Sequence, residues 1–150
     1  MDQAMRIRTL STIGYEGKTV DELLDALSGA GVELLIDVRA VAASRRPGFS
    51  KNALAAAVRE RGIDYLHLRA LGTPKSGREA ARKGRIAEMR TIFEQQLETL
   101  DATVAIEQAA AAAAERHTAL LCFEADPACC HRTIVAERLQ SRGDFMIDDL

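Results

Sequence analysis

Hydrophobic positions change period several times along the chain, and each change marks an element. Leu10-Ser-Thr-Ile-Gly14 is a short apolar segment stopped by glycine and reads as a first strand. Thr19-Val-Asp-Glu22 has the form of a capping box, a hydroxyl residue followed three positions later by Glu. Behind it Val20, Leu23, Leu24 and Leu27 recur at helical spacing until Gly29 and Gly31 end the helix. Val32 to Val38, with Leu34, Leu35 and Ile36 consecutive, has the pattern of a strand buried on both faces. Ala40 to Phe49 reads as a loop, and Ser50 as the cap of a helix through Arg61 whose apolar face uses Leu54, Ala57 and Val58. Ile63 to Leu68 alternates inward and outward, as a third strand does.

The second half begins with an insertion. Leu71-Gly-Thr-Pro-Lys-Ser-Gly77 is turn-rich, and Arg78 to Arg85 is basic. Ile86, Met89, Phe93, Leu97 and Leu100 then mark one helix face, and Asp101 breaks it before an alanine-rich helix from Ala102 to Arg116. Thr118 to Glu124 reads as a fourth strand, Arg132 to Arg142 as the last helix and Phe145 to Ile147 as a fifth strand. This alternation predicts a single α/β domain of three layers, Rossmann-like, with a mostly parallel sheet of about five strands and right-handed crossovers. Residues 1–9 are expected to form a loose N-terminal extension. Ligands of such sheets sit beyond the carboxyl ends of the strands. Gly14-Tyr15, Asp37 to Arg39 and Cys122 to Glu124 fall there, and the loops holding Ser44 to Pro47 and Pro74-Lys75 follow such ends.

Composition narrows the class without naming an activity. No stretch approaches the ~20 apolar residues that span a bilayer. The arginine-bearing start of the chain has no apolar run of the secretory kind, so no membrane association is expected. Three cysteines, two of them adjacent, do not make a disulfide framework, and a reducing cytoplasm is the expected setting. The formal net charge of −2 hides an asymmetry, since Arg39 to Arg90 holds thirteen Lys or Arg against four acids. A local positive field of this kind draws phosphate-bearing small molecules or nucleic-acid components.

The densest chemistry lies in Cys122-Phe-Glu-Ala-Asp-Pro-Ala-Cys-Cys-His-Arg132. Cys130 is the candidate nucleophile. A helix beginning there would place its thiolate against free N–H groups, whereas a helix capped by Asp126 with Pro127 in its first turn would bury it a turn inside. Glu124 and His131 are candidate proton carriers. Cys122 and Cys129 read as packing residues. Arg45, Arg46, Lys75 and Arg132 are candidate anion binders, because guanidinium forks match phosphate oxygens and lysine adds a point charge. Asp37 and Arg39 flank Val38 and share a strand face, which either borders a ligand crevice or pairs internally. Tyr15 and Ser44 complete the candidate ligand set at the strand ends. A zinc site from Cys122, Glu124, Cys130 and His131 is not expected, since no Cys-x-x-Cys or His pair is present and adjacent ligands rarely converge. With no phosphate loop and no dinucleotide glycine fingerprint, no cofactor is expected either.

Four motifs together resemble the family called domain of unknown function 488. They are Thr12-Ile-Gly-Tyr15, Ile36-Asp-Val-Arg39 followed by Ser44-Arg-Arg46, Leu71-Gly-Thr-Pro-Lys75, and Cys122-x-Glu124 followed by Cys130-His-Arg132. They occur in family order from about Thr12 to Ile147. The resemblance implies a compact α/β domain and no agreed activity. Glu16-Gly17 after Tyr15, and Cys129 beside Cys130, depart from the family pattern. The residues therefore predict an anion-recognising hydrolase or group transferase. A rival of another class is a non-catalytic module that binds nucleic acid or a partner through the basic region. A redox device using Cys129 and Cys130 ranks last, because adjacent cysteines bridge only under strain.

Overall fold

The computed structural model describes residues 7–150, and residues 1–6 of the expected extension lie outside the described part. Strand β1 (Arg8–Gly14) starts two residues before the apolar segment, so Arg8 and Thr9 belong to the sheet rather than to a loose extension. Their pairing with a distant strand, invisible in local periodicity, draws them in: Arg8 stands opposite Phe145 and Thr9 opposite Met146. The capping box forms as read. Thr19 Oγ1 accepts from the Glu22 N–H at 3.1 Å, Glu22 Oε1 accepts from the Thr19 N–H at 2.8 Å, and helix α1 (Val20–Gly29) follows. Strand β2 (Leu34–Asp37), helix α2 (Lys51–Glu60) and strand β3 (Asp64–His67) come next.

The insertion differs from its reading. A 3-10 turn at Arg69–Leu71 is followed by helix α3 (Lys75–Arg82), where the sequence reads as turn and basic loop. Gly77 hides this helix from a propensity reading, yet the fold needs it: a Cβ there would collide with Thr73 Cγ2 and press on Ile92 of helix α4 (Ile86–Leu97). Helix α5 (Leu100–Glu115) is capped by Thr99, whose hydroxyl accepts from the Ala102 N–H at 3.2 Å, so Asp101 lies in the first turn instead of breaking the chain. Strand β4 (Thr118–Cys122), a 3-10 turn at Pro127–Cys129, helix α6 (Arg132–Gln140) and strand β5 (Phe145–Asp149) complete the order.

Five parallel strands form one sheet in the order β3-β2-β4-β1-β5. Alternation within the apolar runs feeds two cores. Leu35, Ala119 and Leu121 face α1 and α2, while Leu34, Ile36, Leu120 and Cys122 face the helices from α3 to α6. This is the three-layer, Rossmann-like α/β domain that the alternation predicts. Because all strands run the same way, the ends of β1, β2 and β4 open on one side of the molecule. No helix among the described residues is long and apolar enough to cross a membrane.

Candidate functional site

Beyond those strand ends lies a cavity of about 380 Å³. Its walls include Tyr15 after β1, Arg39 after β2, Cys122 to Glu124 at the end of β4, and His131 before α6. Thr73, Arg78 and Arg82 close it from the insertion. Arg78 and Arg82 stand one turn apart on α3, so both reach the same face. Among the described residues neither has an acidic partner within ion-pair distance. Arg78 Nη1 donates to Thr73 O at 2.8 Å, which aims the guanidinium and leaves its other donors unused.

The β2 end is a finished polar cluster. Asp37, fully buried, takes Nε of Arg39 at 2.8 Å and Nη2 at 2.6 Å, together with the Arg39 backbone N–H and the Tyr65 hydroxyl at 2.5 Å. Arg39 Nη1 also donates to Tyr15 Oη and to Phe49 O. Burial works against the Arg39 charge, but the bonds to Asp37 outweigh it and hold the group above its ordinary value. Burial, then the Asp37 hydrogen bond, pushes the Tyr65 hydroxyl well above the usual tyrosine range. Asp37 and Arg39 do share a face, and they spend their charge on each other.

At the β4 end the chain is pinned by Arg132. Its guanidinium is fully buried and donates to Cys122 Sγ at 3.2 Å, to Glu124 O at 2.5 Å and to Ala125 O at 3.3 Å. Gly14 makes this possible, because any Cβ there would overlap the Glu124 carbonyl. Asp126 caps the short turn through the Ala128 N–H at 3.0 Å, Cys130 is extended, and α6 starts only after His131. Cys130 thus lies just outside the helix, between the two placements that the sequence allows. Its sulfur is bonded to that of Cys122, so Cys122, read from the sequence as a packing residue, is instead paired with the candidate nucleophile. The β4 end and the turn before α6 bring them together on one face of the sheet, a proximity that spacing does not reveal.

Glu124 is half-buried at the cavity wall, and burial raises its carboxyl above the ordinary range against the opposing pull of Arg132. His131 is buried against the Phe93 ring, and desolvation lowers it to about 4 despite its hydrogen bond to Val38 O, so it is neutral at pH 7. Cys129, the free thiol, is pushed up by burial and by Asp126 beside it.

The family model described as Domain of unknown function DUF488 matches residues 19–139, most of the chain. The chain belongs to the DUF488 family. No curated protein and no solved structure matches it. Of the residues in the DUF488-type motifs, Tyr15, Arg39, Thr73, Cys122, Glu124 and His131 come together around the cavity. Asp37 and Arg132 sit behind that wall as internal partners. Arg46 is committed to the Tyr15 and Lys18 carbonyls and lies over the Phe49 ring at 4.6 Å. Ser44 bonds within its own loop, to the Arg46 N–H and to Ser50. Arg45 and Lys75 are exposed and are not among the cavity residues. In the sequence Arg78 and Arg82 read only as part of a basic stretch, and Thr73 only as part of the Leu71 to Lys75 motif. The signal for the two arginines is their spacing of four, which carries meaning only once Lys75–Arg82 is known to be a helix.

Proposed function

We propose that this protein is an enzyme that takes a small phosphate-type anion into the cavity and acts on it by hydrolysis or group transfer. The observation that carries the reading is the pair of arginines, Arg78 and Arg82, one turn apart on α3 and lining the same cavity as Glu124. Two forks without carboxylate partners are an anion site in the chemical sense, since each offers parallel N–H donors to phosphate oxygens. Arg39 contributes one remaining donor at the floor. Glu124 stands where a proton carrier for the bound group is needed. Cys130, bonded to Cys122 and 2% exposed, does not serve as the attacking thiol in this state.

Titration calorimetry with inorganic phosphate at fixed ionic strength tests the binding half. Arg78→Ala and Arg82→Ala are each expected to weaken binding about tenfold or more, the worth of one charge-assisted contact. Unchanged binding in both variants sinks the assignment. Oligonucleotide binding that falls steeply with salt yet ignores both substitutions supports the rival binding module instead. For the chemical half, chromogenic phosphoesters are the probe. Glu124→Gln is expected to lower turnover on the order of 100-fold while phosphate affinity is kept.

A further inference from the structure

Behind Glu124 the imidazole of His131, 8% exposed, is tied at one end only. Its Nε2 lies 2.7 Å from Val38 O. A carbonyl only accepts, so Nε2 carries the proton and Nδ1 is left as a bare lone pair. That lone pair points at the sulfur pair, 3.8 Å from Cys130 Sγ. Nδ1 and the sulfurs of Cys122 and Cys130 all lie within 4.8 Å of one another, on three buried side chains. Adjacent residues converge here because Cys130 is extended (φ −126°, ψ 142°) and His131 is helical (φ −64°, ψ −18°). Donors surround the sulfurs, with Arg132 Nη1 3.2 Å from Cys122 Sγ and the Arg132 backbone N–H 3.5 Å from Cys130 Sγ. Such donors suit thiolates, which accept strongly, better than a neutral disulfide.

We propose that in the reduced protein Cys122 Sγ, Cys130 Sγ and His131 Nδ1 bind one zinc-class divalent cation. Two thiolates and one imidazole form a donor set for a borderline-soft ion, and an imidazole whose other nitrogen is held by a carbonyl is the usual second-shell arrangement. Three protein ligands leave a fourth position open. Cys122 and His131 both line the cavity, and Glu124 Oε2 lies 3.7 Å from Cys122 Sγ, so the open side borders the cavity. An external dithiol delivers two electrons and two protons to the Cys122–Cys130 bond and is itself oxidised to a disulfide. Binding of the cation then releases both thiol protons to solvent. The bonded form has no thiolate to offer, so only the reduced chain holds the ion. This site stands whether or not the cavity takes phosphate.

Cobalt(II) titration of the full chain, reduced with a phosphine under anaerobic conditions, reads the site directly. One equivalent is expected to give the near-ultraviolet thiolate charge-transfer band with visible bands of tetrahedral cobalt. Cys122→Ser and Cys130→Ser should abolish the charge-transfer band, while Cys129→Ser keeps it. If either of the first two variants fails to fold, X-ray absorption of the zinc-loaded wild type decides. Two sulfur neighbours at about 2.3 Å and imidazole nitrogen at about 2.0 Å support the proposal. No bound ion, a sulfur-free shell, or a band that depends on Cys129 overturns it.

Discussion

Among individual residues, Asp37 shows how a site-like motif becomes structure. A fully buried carboxylate beside an arginine at a strand end has the makings of a ligand clamp, yet every bond it makes is internal. Asp37→Asn is expected to cost about 3–5 kcal/mol, because it strands the Arg39 guanidinium in the interior; urea unfolding measures this. Tyr65 adds a pH signature. Its folded pKa is raised, so its contribution is intact below the unfolded value of about 10 and is lost as pH climbs beyond it. Stability should therefore fall above pH 10 more steeply in the wild type than in Tyr65→Phe. The Asp-Val-Arg motif is legible in the sequence, but its internal pairing depends on Tyr15, Phe49 and Tyr65, which arrive from three other segments.

For whole elements, the informative one is α3. An exposed helix-interior glycine replaced by alanine ordinarily gains up to about 1 kcal/mol. Gly77→Ala should instead destabilise, by about 1–3 kcal/mol, because the new methyl meets Thr73 and Ile92. It should also weaken phosphate binding, since Thr73 aims Arg78. A gain in melting temperature would show that α3 is free to shift. The capping box of α1 was readable because all its parts lie within four residues. The hydroxyl of Ser50 holds the Ser44 loop instead of capping α2, a choice set by a neighbour in space.

Across the whole molecule, one sheet separates two cores, and each central strand serves both. Ile13 packs with α1 and α2, and Ile36 with the opposite layer. Ile13→Val and Ile36→Val should each cost about 0.5–1.5 kcal/mol. Their double variant should match the sum within about 0.5 kcal/mol while unfolding in one transition. Marked non-additivity would mean that the layers communicate through the sheet. The same parallel geometry gathers the ends of β1, β2 and β4 around one cavity, with the α3 insertion as its outer wall.

Period and punctuation alone determined the α/β class, the five strands and the side of the sheet where the candidate residues gather. Those signals are local, each arising from side chains a few residues apart that must share a face. Tertiary structure decided the rest. It turned Arg132 inward to hold the Glu124 carbonyl, set Arg78 and Arg82 on the cavity wall, and brought Cys122, Cys130 and His131 within reach of one another. Those outcomes depend on the sheet order and on the approach of Gly14 to Glu124, contacts between segments about a hundred residues apart that no local pattern records.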